Sequence, residues 1–144
     1  MKTIFNKTGI LFSLLIAGIL VSNVSFAQQK DLTKELDILF TGFKNQDYET
    51  LKPLLDDEVK ISENIPLGMN DMVIPQVLAQ IPVPDSYKVI KIEKIGDNQK
   101  ITTEYFYKER DKRVQYFTFN SKGIVIDLDI LSDATKVESS IGEK

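Results

Sequence analysis

The chain of 144 residues contains no cysteine and no histidine. Without cysteine there is no disulfide, no thiolate nucleophile and no lipid anchor carried on a thiol. Without histidine, Ser–His–Asp hydrolysis, a His–Asp general base and most transition-metal sites are excluded as well. Long apolar runs are also missing. The stretch from Gly9 to Val21, interrupted only by Ser13, covers about 13 residues, whereas a helix needs roughly 20 to cross a bilayer. No block of like charge and no low-complexity tract occurs, so disorder is expected only at the ends.

What is present at the start reads as a leader. Lys2 and Lys7 precede the apolar run with no acid among them, and Ser25 and Ala27 stand three and one positions before a cleavage point. Residues 1–27 therefore read as a secretory signal peptide, with Gln28 as the mature N-terminus. The expected location is exported, periplasmic or secreted, with no stable membrane anchor after cleavage. Removing the leader takes away two of the 18 basic residues and none of the 21 acidic ones, moving the formal charge from −3 to −5. An acidic domain of this kind is not expected to bind nucleic acid. Residues 28–131 make one domain, and residues 132–144 a polar C-terminal tail.

Along the mature chain, Leu32, Leu36, Leu39, Phe40 and Phe43 recur at helical spacing and predict a helix from Asp31 to near Asn45. Asp47 offers a cap to a second short helix burying Tyr48, Leu51, Leu54 and Leu55, which Pro53 keeps short. A short strand is expected at Val59-Lys60-Ile61. Residues 69–80 read as one or two helical turns around Pro75, with either Val73, Val77 and Gln80 or Ile74, Leu78 and Ile81 as the inward stripe. The segment Ile81-Pro82-Val83-Pro84 must be extended.

The period then changes to two. Four strand candidates, 86–95, 99–108, 113–119 and 124–131, joined by short turns, predict an antiparallel meander. A bulge at Val89-Ile90 would restore phase in the first. Ile101, Thr103, Tyr105 and Tyr107 share a face, expected to be inward. Ile124, Ile126, Leu128 and Ile130 are expected inward too, leaving Asp127 and Asp129 outside. Strand 113–119 is open: Val114, Tyr116 and Thr118 oppose Gln115, Phe117 and Phe119. The fold class is α+β, with N-terminal helices packed on a curved antiparallel sheet that forms a cone.

Residues 36–51, then Leu54-Leu55-Asp56-Asp57-Glu58-Val59-Lys60-Ile61, then the four-strand meander resemble the entry and sheet of the NTF2-like superfamily, which includes SnoaL-like and ketosteroid isomerase-like proteins. A cystatin-type helix on a sheet is the alternative fold. The resemblance implies a cone and leaves the activity open, because members differ widely in function.

Candidate residues follow. The aromatic set Tyr105, Phe106, Tyr107, Tyr116, Phe117 and Phe119, with Tyr48, could supply an apolar pocket; Tyr48, Tyr105, Tyr107 and Tyr116 carry phenol donors to orient a ligand. The competing reading is ordinary core packing. Glu63, ahead of Pro66 and Gly68, resembles the placement of the catalytic acid in ketosteroid isomerase-like members. It is expected to be an exposed loop residue, since a carboxylate base must be withdrawn from water. Asp56-Asp57-Glu58 has oxygen ligands for a cation but lacks the ligand spacing of a dedicated loop, and reads as a solvated turn. No metal and no cofactor is expected.

Three functions stay open: a non-catalytic exported domain binding a small apolar ligand or a protein partner; an isomerase-like or dehydratase-like enzyme using a carboxylate base; and a structural module with a filled cone that forms a homodimer through its sheet.

Overall fold

The computed structural model describes residues 29–129; the leader expected at 1–27, the tail expected at 132–144 and Ile130 lie outside the described residues. Helix α1 (Thr33–Asn45) leads into α2 (Tyr48–Leu51), a 3-10 turn (Lys52–Leu54), strand β1 (Leu55–Lys60) and helix α3 (Asn70–Gln80). Four strands complete the domain: β2 (Ser86–Ile95), β3 (Asn98–Tyr107), β4 (Arg110–Phe119) and β5 (Val125–Asp127). Three helices thus pack on one curved, open sheet, the α+β layering expected of the chain.

The apolar stripe of α1 buries Leu36, Leu39 and Phe43. The helix ends at Gln46, which adopts the left-handed conformation (φ 52°) while the N–H groups of Gln46 and Asp47 return to the carbonyls of Phe43 and Gly42. Asp47 then caps α2, accepting from the Glu49 N–H at 3.1 Å and the Thr50 hydroxyl at 2.6 Å. Gly42 is required here: a Cβ at that position would collide with the buried Leu51 side chain.

Helix α3 is longer than the one or two turns expected, running through Pro75 for 11 residues. Proline removes its own N–H from the ladder and its ring crowds the carbonyl four residues back, and that carbonyl belongs to the exposed Asp71. Of the two possible stripes, Ile74 and Leu78 are the buried one.

The sheet order is β1-β5-β4-β3-β2. The meander is antiparallel as expected, but β1 pairs parallel to β5, so the sheet is mixed. Strand β1 also begins earlier than Val59, placing Asp56, Asp57 and Glu58 in a strand rather than in a turn. The register of β2 against β3 skips between Val89 and Lys91, which is the bulge expected there.

Inner faces follow pairing. Ile101, Thr103 and Tyr105 are buried, and on β4 Phe117 lies opposite Ile101 and Phe119 opposite Gln99. Around β5 the expected inner set holds in part: Leu128 is fully buried as expected, but Val125 is buried in place of Ile124 and Ile126, which are only half-buried. The pairing skips Ile126 between Phe119↔Val125 and Thr118↔Asp127, so Val125 faces inward before the irregularity and Leu128, as expected, after it.

Candidate functional site

The inside of the cone is occupied by its own side chains. Tyr105, 1% exposed, meets Phe43 edge-on at 5.9 Å and Phe117 edge-on at 6.3 Å, and stacks with Phe40 at 6.4 Å. Tyr87 closes the set 6.1 Å from Tyr105, its hydroxyl donating to Asp37 Oδ1 at 2.6 Å. Between Phe43, Ile81, Pro82, Tyr105 and Tyr107 only a void of about 10 Å³ is left, near the minimum for a single water. Burial, the leading cause, pushes the phenol of Tyr105 well above its ordinary pKa; burial followed by the hydrogen bond to Asp37 does the same for Tyr87.

The four candidate tyrosines therefore do not line one cavity. Tyr105 and Tyr107 border the small void inside the cone. Tyr116 pairs with Thr102 on the outer face, where the Lys100 ammonium sits 4.1 Å from its ring centroid. Strand parity decides this: Phe117 and Phe119 take the inner face, so Tyr116 cannot. Tyr48 belongs to a separate polar recess. Phe106 is also on the outer face, among charged residues such as Glu104 and Lys112, which pair at 2.6 Å.

Glu63 lies in the turn after β1 with its side chain 89% exposed and its carboxylate 3.9 Å from Lys60 Nζ. It lacks the apolar walls a carboxylate base needs.

The Tyr48 recess, about 200 Å³, is bordered by Lys52, Asp56, Asp57, Asn70 and Asp71. Asp71 Oδ1 accepts from the Tyr48 hydroxyl at 2.8 Å and pairs with Lys52 Nζ at 2.9 Å. Its carboxyl is held below the usual range by the Lys52 contact first and the Tyr48 hydroxyl second, whereas burial first and Asp71 second raise the Tyr48 phenol. The Asn70 amide donates to the carbonyls of Asp56 and Asp57 at 2.9 and 2.8 Å, tying α3 to β1. Its Oδ1 is buried without a partner among the described residues. No group of three or more acidic, cysteine or histidine side chains placed to hold a metal ion occurs among the described residues.

The roomiest recess described is a groove of about 360 Å³ at the edge of the sheet. Its walls are apolar: Leu32 just ahead of α1, Leu36 from the first turn of that helix, Val89 and Ile92 from β2, and Ile101 from β3. Residues 29–31 form its rim and are pinned. Lys30 Nζ donates to the Lys122 carbonyl at 2.8 Å and pairs with Glu35 at 3.2 Å. The Gln99 amide, oriented by its partners, accepts from the Lys30 N–H at 3.2 Å and donates to the Lys30 carbonyl at 3.3 Å. Sequence reasoning passed over Val89 and Ile92 as ordinary strand residues. The signal available was three isoleucines, Ile90, Ile92 and Ile95, in one strand that also carries three lysines.

No protein-family model matches the chain, and no curated protein does. Solved structures similar in chain course include an NTF-2 like protein of unknown function from Burkholderia xenovorans LB400, at 18% identity over 67% of this chain and 77% of that one, TM-score 0.46. A second is an LEH-like epoxide hydrolase of M. tuberculosis, at 13% identity over 77% of this chain and 92% of that one, TM-score 0.44. A third, with NTF2 in its name, is Rd1NTF2_05 with a long sheet, at 10% identity over 68% of this chain and 94% of that one, TM-score 0.43.

Proposed function

We propose that this is an exported, non-catalytic NTF2-like domain that binds a small apolar ligand or an apolar segment of a protein partner in the groove between α1 and the β2 edge. One contrast carries the reading. The recess beside Tyr105 and Tyr107 measures about 10 Å³, while the groove offers about 360 Å³ between aliphatic walls and a polar rim, within the size range of ligand sites. The homodimer reading would use the outer sheet face instead, where Phe106 is 36% exposed. The carboxylate-base reading rests on Glu63, whose exposure speaks against it.

The test uses the protein purified from the compartment to which its host delivers it, with an intact mass beginning at Gln28 as the check on export. An anilinonaphthalene sulfonate probe should bind saturably with enhanced fluorescence. Ile92→Glu, at a half-exposed position, should weaken that binding at least tenfold while leaving the melting temperature unchanged; a charged side chain in the groove wall opposes apolar contact. Probe binding that is absent, or indifferent to Ile92→Glu, would sink the reading.

A further inference from the structure

We propose that the outward face of helix α3 is a docking surface for a second copy of this chain, the two helices packing face to face about a two-fold axis. The surface shares no residue with the groove.

A helix with one buried side ordinarily turns charge to water on the other. Helix α3 does not. Ile74 and Leu78 fill its inward side, and opposite them stand Met72, Pro75, Gln76 and Ala79, all exposed and spaced i, i+3, i+4 and i+7. Met72 is 56% exposed, Leu67 in the loop ahead of the helix 58%, and Val83 beyond its end 47%. In a chain that is 27% charged, Asp71 is the one charged residue from Asn64 to Pro84. It is engaged at the flank of the stripe, by Lys52 at 2.9 Å and by the Tyr48 hydroxyl at 2.8 Å. A charge-free helix face with large apolar side chains on and around it marks an interaction site.

The chemistry of this face selects its own copy. About a two-fold axis the same patch meets itself, so a charge would meet its like, whereas an amide is both donor and acceptor and can pair with its twin. The polar side chains of residues 72–84 are Gln76 and Gln80, both amides. Ala79 is the small residue of the stripe and lets two helices approach closely. The outer sheet face has no such neutrality, since Lys88 and Glu104, then Glu93 and Lys100, face each other across it. A foreign partner recognised by charge would find nothing on the α3 stripe to pair with. A membrane surface fits less well, because no Lys, Arg or aromatic residue lies between Asn64 and Pro84 to engage headgroups. An 11-residue helix is roughly 16 Å long at its usual rise, which limits the contact to the low end of specific interfaces and places the dimer in the micromolar range.

Sedimentation equilibrium of the purified protein, from roughly 1 μM to 1 mM, should show a reversible monomer–dimer equilibrium. Both copies carry net negative charge, so added salt should not weaken it; a contact held by opposite charges would loosen. Amide exchange across residues 72–80 should slow as concentration rises. Ala79→Glu sets like charges into the contact and should weaken dimerisation at least tenfold. Its melting temperature, taken where both proteins are monomers, should match the wild type, since Ala79 is exposed. Met72→Glu should act the same way, and Lys88→Glu on the outer sheet face should leave the dimer intact. A protein that stays monomeric, or a dimer indifferent to Ala79→Glu, overturns the proposal. Exchange across 72–80 that does not change with concentration also overturns it, as would follow if residues 130–144 of the same chain covered α3, and so does binding to anionic phospholipid vesicles that Ala79→Glu abolishes.

Discussion

At the scale of single residues, Asp127 has an environment at odds with its charge. It sits opposite Thr118 and beside Lys60 in the sheet, and its Oδ1 is buried without a partner among the described residues. Burial is the largest influence on it and raises its pKa, outweighing the Lys60 charge that acts the other way. A carboxyl whose folded pKa is raised binds its proton more tightly when folded, so stability is lost as pH rises from the unfolded value through the folded one. Asp127→Asn should therefore raise the melting temperature at pH 7, and the gain over the wild type should shrink as the pH is lowered below 4. Thermal melts of both proteins across that range check it; a gain independent of pH would contradict the account. Asp127 also shows where reading alternation stops. With Val125 inward, strict alternation would turn Asp127 inward too; the skip at Ile126 sets it opposite Thr118 instead and brings Leu128 inward, an irregularity that residues 124–128 do not announce. The same holds for Tyr116. With aromatics on both faces of 113–119, composition left two choices, and only pairing with Ile101 and Gln99 brings Phe117 and Phe119 inward.

At the scale of elements, most boundaries were legible because local chemistry sets them. The Asp47 cap, the turn at Gly96 with its positive φ of 60° and the extended prolines after Gln80 each act within a few residues. Helix α3 was harder, since Pro75 lowers local helix propensity while burial of Ile74 and Leu78 holds the helix together from outside. Gln46 is a joint of the same non-local kind. Its amide Nε2 donates to the carbonyl of Leu78 at 2.7 Å and of Ile81 at 3.3 Å, fastening the end of α1 to the end of α3. Gln46→Ala removes both bonds and keeps a side chain in the left-handed conformation, so urea denaturation should show a loss of about 1–2 kcal/mol. Gln46→Gly loses the same bonds but relieves the backbone, which favours glycine by roughly 1 kcal/mol. The glycine variant should thus be the more stable of the two, and the reverse order would show that the side-chain link is not what Gln46 contributes.

At the scale of the whole molecule, the open or filled state of the cone depends on distances between elements far apart in sequence. Gly42 lets α2 come close enough for Leu51 to seat against α1, and Phe43 then reaches the sheet, its ring 6.0 Å from that of Phe117. The aromatic set was visible in the chain, but whether it would line a pocket or fill one was not. Side-chain volume settles that only once the layers are in place. A filled interior predicts a particular response to carving. Phe117 is fully buried and does not border the groove. Phe117→Ala should lower stability by about 3–5 kcal/mol, the transfer and cavity costs of a packed core acting together. Against a total on the order of 5–15 kcal/mol, the variant should still fold at low temperature, with a lower urea midpoint and an unchanged denaturant slope. Its naphthalene-probe affinity at the groove should match the wild type. A loss below about 1 kcal/mol would mean that the cone tolerates empty space as a ligand pocket does, and would return the binding site to the interior.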